Sequence, residues 1–150
     1  MNEFEAQASY TKEFPDGTLK RVKEWYLLTA PVSFTDAETL MYSEVAEGIR
    51  GEFAIHQIKK ADYTDIFAYD GCDHFYKCKL AYKTENADTG KETKVVTNYL
   101  VQADNVDQAT KRLHESMKGL MVTYEIESVS KTPIVEMITS KIVERKSAEV

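Results

Sequence analysis

The first half of the chain returns in the second. Phe4-Glu5-Ala6-Gln7-Ala8-Ser9-Tyr10 recurs as Tyr76-Lys77-Cys78-Lys79-Leu80-Ala81-Tyr82, 72 residues on, and Tyr26-Leu27-Leu28-Thr29-Ala30 as Tyr99-Leu100-Val101-Gln102-Ala103, 73 residues on. Ala37, Met41 and Val45 reappear as Ala109, Leu113 and Met117 at offset 72, and Phe53-Ala54-Ile55 as Tyr124-Glu125-Ile126 at offset 71. The offset drifts only at turns, where duplicated units accept insertions and deletions. A unit of about 70 residues buries a marginal core by itself, so the two copies are expected to share a core or a sheet.

Within the first copy, Phe4, Ala6, Ala8 and Tyr10 alternate with polar residues, the period of a half-buried strand. Pro15-Asp16-Gly17 marks a turn, because Pro presets φ and Gly accepts positive φ. A second strand follows over about Leu19 to Ala30. Ser33 with Asp36 three residues later opens a helix over about 34–49, with Ala37, Leu40, Met41, Val45 and Ile49 on one face. Phe53, Ile55 and Ile58 mark a third strand, and their change from i+2 to i+3 spacing predicts a bulge near His56-Gln57. Tyr63 to Tyr69 reads as a short fourth strand.

The second copy repeats the order. Strands over Phe75–Lys83 and Thr93–Ala103 flank a turn at Asn86 to Gly90. Asn105 and Gln108 cap a helix over about 106–120 with Ala109, Leu113, Met117 and Leu120 on its apolar face. Strands at Tyr124–Val129 and Ile134–Ile138 follow. The fold class expected is α+β: two tandem β-β-α-β(-β) repeats with pseudo-two-fold symmetry, an antiparallel sheet with helices on one face. The copies are set at 1–70 and 71–138, leaving 139–150 as a charged, disordered tail.

Composition narrows the function classes. Net charge is −6, but residues 1–72 hold 7 Lys/Arg against 13 Asp/Glu while residues 73–150 hold 12 against 12, so the copies have diverged electrostatically. Apolar runs are far shorter than the roughly 20 residues that span a bilayer. The N-terminus has no basic region followed by an apolar core, so no signal peptide is read there. Two cysteines make no disulfide framework. These features place the protein in the cytoplasm.

Catalytic machinery is not legible. There is no Gly-rich phosphate loop, nucleophile elbow or paired-His helix. His56, His74 and His114 lie in three different elements. Asp70-Gly71-Cys72-Asp73-His74 with Cys78 is dense in metal-ligand types. It lacks the paired spacing of zinc sites, however, and Cys78 falls where the repeat wants a small buried residue. No catalytic residue, metal or cofactor is assigned.

The aromatic and basic residues carry the functional expectation. Trp25 alternates with core Tyr26 and Phe75 with core Tyr76, so each points to the other sheet face. Lys77 and Lys79 share the face of Phe75, while Lys20, Arg21, Lys23, Lys83, Lys91 and Lys94 lie on or near the hairpins. The stretch 75–96 holds five Lys against three acids in an otherwise acidic chain. Rings interleaved with cations on an open sheet are a platform for single strands, bases stacking and phosphates meeting ammonium groups. The expected function is thus non-enzymatic binding of single-stranded nucleic acid through Trp25, Lys20, Lys23, Phe75, Lys77, Lys79 and Lys94. A pI near 5.1 argues the other way. The alternative is a module that captures a protein partner or a small anionic ligand such as a nucleotide. The plain reading of Trp25 and Phe75 is that they seal an interface between copies or in a homodimer.

Trp25-Tyr26-Leu27-Leu28-Thr29-Ala30, Ser33-Phe34-Thr35-Asp36-Ala37-Glu38 and Gly51-Glu52-Phe53 resemble a domain-of-unknown-function family of small proteins from gut anaerobic bacteria and their bacteriophages. That family carries Tyr-Leu-Val-x-Ala, Ser-Phe-Thr-x-Ala-Glu and Gly-x-Phe. Its closing pattern is echoed by Met117, Met121, Tyr124, Ile126, Thr132 and Pro133. The likeness covers about residues 3–138, and residues 28–30 depart from the family's usual Val-Asp-Ala. It implies a small free-standing bacterial or phage protein and brings no activity or catalytic residues.

Overall fold

Alternation of apolar and polar residues builds the strands, and two capped amphipathic segments build the helices. The computed structural model describes residues 3–29, 31–119 and 123–139. In chain order these form β1 (Glu3–Glu13), β2 (Leu19–Thr29), α1 (Phe34–Glu44), a 3₁₀ turn (Ala46–Gly48), β3 (Phe53–Ala61) and β4 (Asp65–Phe67). Then come β5 (His74–Glu85), β6 (Glu92–Ala103), α2 (Val106–Ser116), β7 (Tyr124–Lys131) and β8 (Ile134–Thr139). The fold is α+β, eight strands in two sheets with two helices.

The sheet structure differs from the wholly antiparallel one expected. There are two four-stranded sheets, ordered β3-β1-β2-β8 and β4-β6-β5-β7. Each has an antiparallel centre and one parallel edge, where β8 joins β2 and β4 joins β6. The chain accordingly divides into one unit that runs to Ala61 and resumes at Pro133, and a second unit, Asp62–Thr132. The compact units part at Ala61/Asp62, because β4 completes the sheet of the residues that follow it. A strand of three to six residues shows its apolar pattern in sequence but not its partner. The tail expected to be disordered begins at Thr139, which ends β8; residues 140–150, like Leu120 of the helix pattern, lie outside the described residues.

In the first unit the core lies between α1 and one sheet face. Phe4, Ala6 and Ala8 of β1, Tyr26 and Leu28 of β2 and Ile138 of β8 pack with Ala37, Leu40 and Met41 of α1. Ser33 Oγ accepts from the Asp36 amide at 3.1 Å, the expected N-cap. The helix is shorter than the expected 34–49: it closes at Val45, and the 3₁₀ turn takes over. In the hairpin turn, Gly17 at φ +83 supplies the left-handed residue that Pro15-Asp16-Gly17 implied.

In the second unit Tyr76, Cys78 and Leu80 of β5 and Tyr99, Val101 and Ala103 of β6 pack with Ala109, Leu113 and Met117. Asn105 Oδ1 caps α2 by accepting from the Gln108 amide at 2.8 Å. Cys78 is fully buried in this core, and burial pushes its thiol up to about 11.

Each sheet carries a bulge on its antiparallel edge strand, and the first has a second register shift where β8 meets β2, with Val135 as the extra residue. In the first unit Gln7 faces Gln57 and Ala8 faces Ile55, so His56 is the extra residue, where the spacing had placed it. In the second, Lys79 faces Ser128 and Leu80 faces Ile126, which makes Glu127 the extra residue. A bulge breaks the ladder and re-aims side chains, so these are natural places for polar groups to gather.

Candidate functional site

The seven residues singled out from sequence do not form one surface within either unit. Trp25 and Lys23 share a face of β2, opposite Gln7 and Ser9. Trp25 is half-buried, and Lys59 Nζ stands 4.9 Å from its ring centroid, so a cation from β3 already occupies an indole face. Lys59 also pairs with Glu5 at 3.4 Å. Lys20 lies at the hairpin, 5.8 Å from the Phe14 ring centroid, with Lys12 at 5.9 Å from the same ring.

Phe75 is 2% exposed. A ring buried to that degree cannot accept a base. The alternation that turned Phe75 away from the helix was read correctly, but pointing away from one core did not make it accessible. Leu27 and Ser9 on the corresponding face of the first sheet are buried as well, so neither face is a bare platform.

Lys77 is exposed with no ion pair among the described residues, whereas Lys79 and Lys94 are both committed. Glu127, re-aimed by the β7 bulge, takes Lys94 at 2.5 Å and Lys79 at 3.7 Å. The Lys94 hydrogen bond holds the Glu127 carboxyl below its ordinary value, and the Lys94 ammonium is raised in return.

A concave feature lies in the second unit, beside the β5–β6 hairpin. A cleft of about 510 Å³ is lined by Ala81, Tyr82, Lys83, Lys94, Thr123 and Glu125. Lys83 and Lys94 are register partners directly across the ladder. Like charges in that relation repel and weaken a hairpin. Glu92, 3.8 Å from Lys83, and Glu127 offset the repulsion from outside the pair. The sequence had placed Lys83 and Lys94 at the hairpin but not opposite each other, and it assigned Tyr82 wholly to the core. Lining up the hairpin strands about the Asn86–Gly90 turn would have exposed the opposed lysines.

A second polar group also escaped the sequence reading. Ser9 Oγ shares a 2.6 Å hydrogen bond with His56 Nε2 and accepts from Arg21 Nη2 at 3.1 Å. Cys72 has a polar setting too, with Arg112 Nη1 3.1 Å from its sulfur and donating to the Gln102 carbonyl at 2.8 Å. That guanidinium stacks 4.0 Å from the Tyr69 ring centroid and ties the β4–β5 connection to α2. Its role is structural.

The chain belongs to a family defined as a domain of unknown function, DUF4494, which it matches over residues 2–140. The likeness seen in the Tyr-Leu and Ser-Phe-Thr stretches is therefore a true family relation. No curated protein and no solved structure matches the chain. No helix among the described residues is long and apolar enough to cross a membrane.

Proposed function

We propose that this is a non-enzymatic, cytoplasmic binding protein that takes a small anionic ligand of the nucleotide class in the cleft beside the β5–β6 hairpin. The observation that carries this reading is the Lys83–Lys94 pair, two cations held face to face on the wall of a concave site. A phosphate group between them takes Lys83 from Glu92 and Lys94 from Glu127 and receives two charge-assisted hydrogen bonds. Tyr82 offers a ring to a base, and Thr123 a hydroxyl. About 510 Å³ suits a small molecule, since such sites run from about 300 to 1,000 Å³. Calorimetric titration of the protein with a panel of nucleoside mono-, di- and triphosphates tests the reading. Saturable binding that Lys83→Gln or Lys94→Gln weakens by about tenfold or more, roughly 1.4 kcal/mol, supports it. Binding indifferent to either change, or none, sinks it.

The single-strand reading keeps one specific support: Lys20, Lys23 and Lys77 are exposed and in no ion pair among the described residues. It rests on Trp25 as the remaining ring. A steep fall of oligonucleotide affinity with salt, with loss of Trp25 quenching in Trp25→Ala, would favour it over the cleft.

We also read the chain as an internal duplication with exchanged fourth strands. Support comes from two 11-residue helices beginning at Phe34 and Val106, each with a side-chain N-cap. The bulges opposite Gln7/Ala8 and Lys79/Leu80 keep the same spacing of 72.

A further inference from the structure

The bulge in β3 gathers nitrogen-bearing side chains around one buried oxygen. Ser9 is 3% exposed, and its Oγ holds the His56 imidazole at 2.6 Å and the Arg21 guanidinium at 3.1 Å. Lys23 faces Ser9 directly across the β1–β2 ladder. Arg21, Lys23 and His56 are themselves exposed. Ser9 thus acts as a fixed pin that holds a guanidinium beside an imidazole at the surface of the unit.

Among the described residues no carboxylate pairs with Arg21, Lys23 or His56, and the acids on this face of β1, Glu5 and Glu13, stand four positions from Ser9. The ladder positions around Ser9 on its face are Gln7, Thr11, Arg21, Lys23, Trp25, Ala54 and Gln57. Glu24 belongs to the opposite face, where Tyr10 and Tyr26 donate to its Oε1 and Lys12 approaches at 3.7 Å. The bulge of the second unit shows what satisfies such a position. There the extra residue is Glu127, whose carboxylate gathers Lys94 and Lys79. In β3 the extra residue is His56, and neither Arg21 nor Lys23 has a carboxylate partner among the described residues.

We infer that the Ser9–Arg21–Lys23–His56 cluster binds a tetrahedral oxyanion, inorganic phosphate or the phosphate of a small phosphate ester. Arg21 supplies a planar fork matched to two oxygens of one phosphate, and Lys23 a point charge beside it. Ser9 is a positioning residue that orients Arg21 and His56. The inference is independent of the cleft, which belongs to the other unit.

The test is a titration of the full chain with inorganic phosphate at ionic strength held constant with chloride, followed by ¹H–¹⁵N correlation spectra including the arginine side chains. Saturable shifts are expected at Ser9, Arg21, Lys23, His56 and their ladder neighbours, read separately from any at the cleft lysines. Arg21→Gln should weaken the binding read at these residues by about tenfold or more, and Lys111→Gln, on α2 of the other unit, should leave it unchanged. Ser9→Ala should lower phosphate affinity without changing the melting temperature in phosphate-free buffer, and Ser9→Thr, which restores the hydroxyl, should recover it. A parallel titration with a nucleoside 5′-monophosphate identifies the source. Tighter binding at the same residues points to an ester, and equal or weaker binding to the free ion. Shifts that stay linear, that spread over unrelated lysines, or that survive Arg21→Gln unchanged overturn the site. Loss of phosphate binding in Lys94→Gln together with retention in Arg21→Gln would assign the anion to the cleft instead.

Discussion

On the helix-covered face of the first sheet, Tyr10 and Tyr26 both donate to Glu24 Oε1. The same ladder positions of the second sheet hold Tyr82, Tyr99 and Thr97 (Glu24 faces Ala8 in one, Thr97 faces Leu80 in the other). Thr97 Oγ1 is buried without a hydrogen-bond partner among the described residues. One framework thus tolerates two opposite solutions. The first desolvates a carboxylate but satisfies it with two hydroxyls. The second avoids the charge and leaves a neutral oxygen unmatched. A strand scaffold fixes where side chains meet, while the polarity at that meeting point is free to diverge.

The largest expected effect concerns the strands that close each sheet. β8 brings buried Ile134 and Ile138 to the first sheet, whereas the shorter β4 brings half-buried Phe67, stacked on Tyr99 at 5.7 Å between centroids. Ile138→Ala should lower unfolding free energy by about 2–5 kcal/mol, the cost of a core cavity. Phe67→Ala should cost less, about 1–3 kcal/mol, because part of its ring is already wet. Urea melts of the two variants check the order. A reversed order would mean that β4 is the stronger tie and that length and burial misjudge the two edges.

The polar triads come next. Glu24→Ala strands two tyrosine hydroxyls, one on nearly buried Tyr26, and should cost about 1–3 kcal/mol. Thr97→Val removes an unmatched oxygen at constant shape and should be neutral or stabilising by up to about 1 kcal/mol. A clear loss in Thr97→Val would show that its hydroxyl has a partner in solution. Alkali gives a second measure. Burial, and then the Glu24 hydrogen bond, push Tyr10 up to about 12, and Tyr26 is raised further for the same leading cause. The raised folded value favours the protonated phenol. This contribution is complete below about pH 10, the ordinary tyrosine value, and is lost as pH climbs toward 12. Glu24→Ala should therefore flatten the alkaline limb of a stability profile, and tyrosinate absorbance should appear earlier.

Much of this was legible because it is written in periodicity. Phe4-Ala6-Ala8 and Tyr76-Cys78-Leu80 announced their strands, Ser33 and Asn105 their helices, and the i+2 to i+3 slip at His56 its bulge. What stayed hidden depends on pairing across the chain. Nothing in Ile134–Ile138 says that it joins β2 rather than β6, since a short parallel edge strand carries no label for its partner. Phe75 was misjudged because alternation reports which face a ring takes and not what covers that face. The Lys83–Lys94 opposition needs the hairpin register, and Glu24 beneath Tyr10 needs the β1–β2 register. The functional candidates therefore appear only once strands are aligned.

The smallest effect tests the two bulges against each other. Glu127 has its carboxyl held below the ordinary value, chiefly by the Lys94 hydrogen bond. A lowered folded value means that the charged form is favoured by folding. Its contribution is present above the ordinary glutamate range and disappears as pH falls through the lowered value. The pair is at the surface, so solvent and salt screen it and the effect stays modest. Glu127→Gln should remove a small part of the acid-side loss of stability, and added salt should shrink the difference between variant and parent. The bulge of β3 carries His56 in place of a carboxylate. In its place the first unit should gain stability from phosphate, a dependence that Arg21→Gln abolishes and Glu127→Gln leaves intact. If both bulges respond to phosphate alike, the carboxylate of Glu127 is not the internal substitute for an anion, and the contrast between the two units collapses.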